Sequence, residues 1–127
     1  MSAELLTILI VDDEPAIQRL LVAILAPQGY KVFEARHPIH ALQLCKHYPD
    51  PIHLLLTDVM MPYMNGRELA SSALAVRPQL RVLYMSGNED GLLMQCLDLE
   101  EEVFFLQKPF SSSTLLQKVR GVLGIEG

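Results

Sequence analysis

One regularity constrains this chain more than any other. Short apolar runs, each too brief for a helix, alternate with longer amphipathic stretches at a repeat of about 25 residues, the length of a strand–helix unit. Leu6–Val11 is the first such run, closed by Asp12-Asp13-Glu14. Glu14-Pro15 then opens a helix, because proline suits a first helical turn and acids suit its positive end. Ile17, Leu20, Leu21 and Ile24 follow at i, i+3, i+4 and i+7 as one predicted apolar stripe, and Gly29 offers a left-handed cap. Further strands are predicted over Tyr30–Glu34, Ile52–Thr57, Leu80–Met85 and Val103–Gln107. Helices are predicted over Pro38–Tyr48, with Ile39, Leu42 and Cys45 inward, over Arg67–Val76 and within Asp90–Leu99. Ser111–Ser113 supply N-caps for a last helix carrying Leu115, Leu116, Val119, Val122 and Leu123 at helical spacing. Apolar, non-alternating strands interleaved with amphipathic helices specify a parallel sheet covered on both faces, a single α/β domain.

Composition narrows the function classes. At 127 residues, half of them hydrophobic and a fifth charged, the chain has the size and make-up of one globular domain. No apolar run reaches the ~20 residues of a membrane span, and no basic residue precedes the first run as in a signal peptide. Cys45 and Cys96 form no disulfide framework, so a reducing cytoplasm is the expected location. The net charge of −5, with no Lys/Arg block, argues against direct nucleic-acid binding. His37, His40, His47 and His53 lack the partner ligands of a zinc site, and the six methionines read as core fillers.

In open α/β sheets the chemistry sits beyond the carboxyl ends of the strands. The first run ends in Asp12, Asp13 and Glu14, the third in Asp58, the fourth in Ser86 and the fifth in Lys108. Singly these have plain readings as a helix cap, a turn residue, a loop and a solvated strand end. Together they set three aspartates, a hydroxyl and an ammonium around one crevice. Clustered carboxylates need a cation to neutralise them, and Asp13 and Asp58 with a carbonyl oxygen and waters suit the hard ion Mg²⁺. A carboxylate can also be a nucleophile that forms an aspartyl phosphate, with a lysine and a hydroxyl stabilising the transferred group.

Four motifs in order carry a family resemblance: Ile8-Leu9-Ile10-Val11-Asp12-Asp13-Glu14, Leu56-Thr57-Asp58-Val59-Met60-Met61-Pro62-Tyr63-Met64-Asn65-Gly66, Val82-Leu83-Tyr84-Met85-Ser86-Gly87 and Phe105-Leu106-Gln107-Lys108-Pro109-Phe110. The chain resembles the receiver domain of two-component response regulators from about Leu6 to Leu123, one domain within residues 1–127. The resemblance implies a flavodoxin-like (βα)5 fold, doubly wound, with strand order 2-1-3-4-5 in an α/β/α sandwich. It implies Asp58 as phosphoacceptor, and Asp12, Asp13, Asp58 and the Met60 backbone carbonyl as the site of Mg²⁺ (or Mn²⁺). Lys108 is implied to pair with the phosphoryl group, Ser86 to turn toward it, and Phe105 to report the state by its rotamer. Pro109 is implied to follow a cis peptide bond. The implied role is signalling rather than metabolic catalysis. The phosphoryl donor is a sensor histidine kinase or a histidine phosphotransfer protein, and the face of the fourth helix, fifth strand and fifth helix serves as readout or homodimer surface.

Departures from the pattern carry expectations too. Tyr63 and Asn65 stand where the family turn commonly has glycine and aspartate, and Asn65 can take the aspartate's part in the turn. Met60 and Asn88, two residues beyond Asp58 and Ser86, are not acids, so a moderately long-lived phosphoryl group is expected. Two other readings remain at this point: a receiver-like interaction module that is not phosphorylated, and an aspartyl-nucleophile phosphatase. The second fits less well, because the first strand ends Asp12-Asp13-Glu14 rather than Asp-x-Asp. The chain reads equally as a stand-alone regulator or as one domain of a larger protein such as a hybrid histidine kinase.

Overall fold

The structure, a computed structural model, describes residues 6–61, 64–87 and 104–125. Its strands are β1 (Thr7–Val11), β2 (Lys31–Ala35), β3 (Leu54–Asp58), β4 (Arg81–Ser86) and β5 (Phe104–Gln107). All pair in parallel, in the order β2-β1-β3-β4-β5. The described helices are α1 (Pro15–Leu25), α2 (Pro38–His47), α3 (Gly66–Val76) and α4 (Ser112–Leu123). This is the doubly wound, flavodoxin-like arrangement expected of the sequence. The helix expected within Asp90–Leu99, together with Tyr63, Asn88, Cys96 and Val103, lies outside the described residues.

Strand parity divides the core in two, since successive side chains leave opposite faces. Ile8, Ile10, Leu54, Leu56, Leu83, Met85 and Leu106 point to the face covered by α1 and α4, where Leu21, Leu25, Leu115, Val119 and Val122 meet them. Leu9, Val11, Leu55 and Tyr84 point to the other face, against Ala41 and Cys45 of α2 and Leu69, Ala70 and Ala73 of α3. β1 and β3 are buried at every position, which explains their uninterrupted apolar runs.

Two helices turn differently from the predicted stripes. In α1 the buried line is Gln18, Leu21 and Leu25, while Leu20 is 44% exposed. In α2 the buried line is Pro38, Ala41 and Cys45, and Ile39 is 57% exposed. Both helices begin at a proline within a few residues of a strand end, and that short entry limits which side of the first turn meets the sheet. An apolar count along the helix does not carry this information. Ends are otherwise as expected. Gly29, with φ of 96°, closes the 3-10 turn Ala26–Gln28 after α1, and the Ser111 side chain caps α4 by accepting from the Thr114 N–H at 3.1 Å.

Candidate functional site

The carboxyl ends of β1, β3 and β5 bring their polar residues together. Asp12 follows β1 directly and is fully buried. Its Oδ1 accepts from the Glu14 N–H at 2.8 Å, and its Oδ2 accepts from Lys108 Nζ at 3.1 Å. Asp58, the last residue of β3, is also buried; its Oδ2 accepts from Lys108 Nζ at 3.1 Å and its Oδ1 from the Met60 N–H at 3.2 Å. One ammonium therefore bridges two buried carboxylates from neighbouring strands, with Glu14 at 3.9 Å on the outside.

Backbone structure sets each of these side chains. Lys108 is held by its own N–H, which donates to the Ser86 carbonyl at 2.8 Å, and the Lys108–Pro109 peptide is cis, as expected. Asp58 is backed by α3. Gly66 donates its N–H to the Val59 carbonyl at 2.9 Å, and a Cβ at Gly66 would collide with the Asp58 carbonyl oxygen, so only glycine allows this approach. Asn65 closes a capping box at the start of α3: its side chain accepts from the Glu68 N–H at 2.8 Å and its N–H donates to Glu68 at 3.0 Å. The substitution at this turn is thus accommodated by capping.

Asp12, Asp13 and Asp58 place carboxylate oxygens within 4.8 Å of one another, with Asp13 exposed at the mouth. An all-oxygen, triply acidic set fits a hard divalent cation such as Mg²⁺ or Mn²⁺ and not a thiophilic one. Burial pushes the Asp12 carboxyl above the usual carboxylate range, against the pull of the Glu14 N–H and Lys108. Burial does the same to Asp58, opposed by Lys108 and reinforced by the charge of Asp12. Burial draws the Lys108 ammonium down, but the two carboxylates together outweigh it and hold Lys108 above its ordinary value. Desolvated acids of raised pKa beside a single cation are under-neutralised, which is the electrostatic condition for recruiting a second cation.

The other expected residues take flanking places. Ser86 is buried at the end of β4, paired across to Gln107. Phe105 is half-buried on β5, and its ring lies 5.6 Å from that of Tyr84. Met60 is half-exposed beside Asp58. Two neighbours escaped the sequence reading. Tyr84 shares the alternation of Ser86, two residues on, and that parity was the available signal. Gln18 is a buried amide within an apolar helix line, visible only once the facing side of α1 is known.

Comparisons with known proteins agree with this geometry. Residues 8–120 match the response regulator receiver domain family. The chain is 30% identical over 117 residues to sensor kinase CckA of Brucella abortus (strain 2308), covering 92% of this chain and 12% of that protein. It is 31% identical over 116 residues to the response regulator receiver protein CpdR of the same organism, covering 91% of this chain and 95% of CpdR. A response regulator receiver protein from Sinorhizobium medicae WSM419 superposes with a TM-score of 0.82 at 26% identity, over 97% of this chain and 98% of that one. With its parallel β2-β1-β3-β4-β5 sheet and its acids and lysine at the strand ends, the chain belongs to the response regulator receiver domain family, the signalling modules of two-component systems.

Proposed function

We propose that this receiver accepts a phosphoryl group on Asp58 from a phosphohistidine of a sensor histidine kinase or histidine phosphotransfer protein. The observation that carries the reading is Lys108 Nζ standing 3.1 Å from both Asp12 and Asp58 at adjacent strand ends. A carboxylate oxygen of Asp58 attacks phosphorus, the P–N bond breaks, and the imidazole leaves with the bonding electron pair. Lys108 follows the developing charge on the phosphoryl oxygens, and Ser86 donates its hydroxyl to the same group. Asp12, Asp13, Asp58 and the Met60 carbonyl would hold Mg²⁺ (or Mn²⁺), which when bound offsets phosphoryl and carboxylate charge. Phosphorylation adds nearly two negative charges and draws Ser86 and Lys108 inward, and Phe105, packed on Tyr84, follows.

The module spans about residues 6–123 and acts in the cytoplasm; among the described residues no helix is long and apolar enough to cross a membrane. The β5 face is the surface for output or for a second copy. Met60 offers only a weak thioether acceptor beside Asp58, which supports a moderately long-lived phosphoryl group. The test is intact mass after incubation with acetyl phosphate and Mg²⁺. A Mg²⁺-dependent gain of about 80 Da, absent in Asp58→Asn, supports the aspartyl chemistry. A folded native chain that gains nothing from acetyl phosphate or from a phosphohistidine donor overturns it in favour of an unphosphorylated interaction module.

A further inference from the structure

Gln18 is 1% exposed and sits on the buried line of α1, where the two companion residues are Leu21 and Leu25. A leucine there would serve the core, so a buried amide needs a use. Its Nε2 donates to the Ala35 carbonyl at 2.7 Å. Ala35 is the last residue of β2, paired with Val11, and its carbonyl also accepts the Asp12 N–H at a long 3.3 Å. The segment Asp12-Asp13-Glu14 is therefore flanked by two bonds to one oxygen atom, from the Asp12 amide at its start and from Gln18 one turn into the helix that follows it. The N-cap residue of α1, Glu14, makes no side-chain cap hydrogen bond; its own N–H is held by Asp12 Oδ1 at 2.8 Å, so the Gln18 bond adds a tie from inside the helix.

We propose that Gln18 is a positioning residue for the cation site: its bond to Ala35 holds the Asp12-Asp13-Glu14 turn in the arrangement that converges with Asp58. The inference rests on the cation reading given above and adds a residue to it. The chemistry of the side chain fits the task. An amide donates to a buried carbonyl without adding charge, whereas a glutamate of the same shape would set a third buried acceptor behind Asp12 and Asp58. Of the three acids, Asp12 is held on this turn by the Glu14 N–H, so its placement depends on the backbone that Gln18 braces, whereas Asp58 is set separately by the Met60 N–H.

The experiment measures Mg²⁺ binding to the whole chain by calorimetry for the native protein, Gln18→Met and Val119→Ala. Gln18→Met keeps the volume and removes the donor; Val119→Ala removes core packing on α4, away from the turn. Loss of Gln18 is expected to weaken Mg²⁺ about tenfold, the low end for groups that orient metal ligands, and to speed amide exchange at Glu14 in the metal-free protein. Val119→Ala is expected to lower Tm with unchanged Mg²⁺ affinity. If Gln18→Met does not fold, Gln18→Leu takes its place. Native Mg²⁺ affinity in the Gln18 variant, or equal weakening in Val119→Ala, overturns the positioning role alone. A native protein that binds no Mg²⁺ overturns the cation reading and the role together, a distinct result.

Discussion

Asp12 shows how far a receiver site departs from ordinary ion-pair logic. It has a lysine at 3.1 Å, yet burial dominates and its carboxyl sits above the usual range. A folded-state pKa raised above the unfolded value means that the folded state holds the proton more tightly. Stability then falls as pH climbs from the ordinary carboxylate pKa through the raised one, and the penalty is complete above the raised value. Asp12→Asn removes that penalty while keeping an acceptor for the Glu14 N–H, and Lys108 retains Asp58. The expected result is a Tm at pH 7 higher by roughly 3–5 °C, corresponding to about 1 kcal/mol, in metal-free buffer. Thermal melts at descending pH should show the gain vanish once the native aspartate is protonated; a gain that persists there contradicts the assignment. Lys108→Met acts oppositely, leaving buried acids without their cation. A loss of about 2–3 kcal/mol is expected at neutral pH, and denaturant titration should show it shrink in acid.

At the scale of elements, one side chain ties α3 to the last turn of α2 and the segment that follows it. Arg77, the C-cap of α3, donates through Nε to the Cys45 carbonyl at 2.7 Å and through Nη1 to that of Asp50 at 2.9 Å. Its Nη2 reaches the Tyr48 carbonyl, so one planar fork holds carbonyls around the end of α2. Lysine cannot reproduce three divergent donors from one plane. Arg77→Lys is therefore expected to cost about 2 kcal/mol in denaturant unfolding, with Mg²⁺ affinity unchanged because the clasp lies at the far end of the sheet from the acids. This element was invisible in the sequence, since a lone arginine after a helix has no pattern. Other features were legible for physical reasons. The strand runs of β1 and β3 announce burial on both faces, and Asp12 and Asp58 stand at or just beyond the ends of those runs. Leu20 and Ile39 misled because apolar residues are also common on surfaces, and only the entry angle of a helix selects its buried line.

At the scale of the whole molecule, the sheet order makes the site a compromise between folding and binding. Placing β1 beside β3 brings Asp12 and Asp58 together at the centre of the sheet, where both are desolvated and one lysine serves two acids. The metal-free domain is thus destabilised by the groups proposed to bind the cation, and ligand binding should return that stability by mass action. At Mg²⁺ ten times its Kd the native chain is expected to gain about 1.4 kcal/mol, a Tm rise of roughly 4–7 °C. Asp12→Asn begins more stable but has a weakened site, so its melting temperature should move little. The gap between the two proteins should therefore close as Mg²⁺ is added, the variant melting higher without the ion and the native chain rising to meet it at about ten times its Kd and passing it beyond. Parallel curves at every Mg²⁺ concentration would show that the buried acids are a structural burden unconnected with cation binding. Convergence driven by the native chain alone ties the cost of burial to the site that the fold builds.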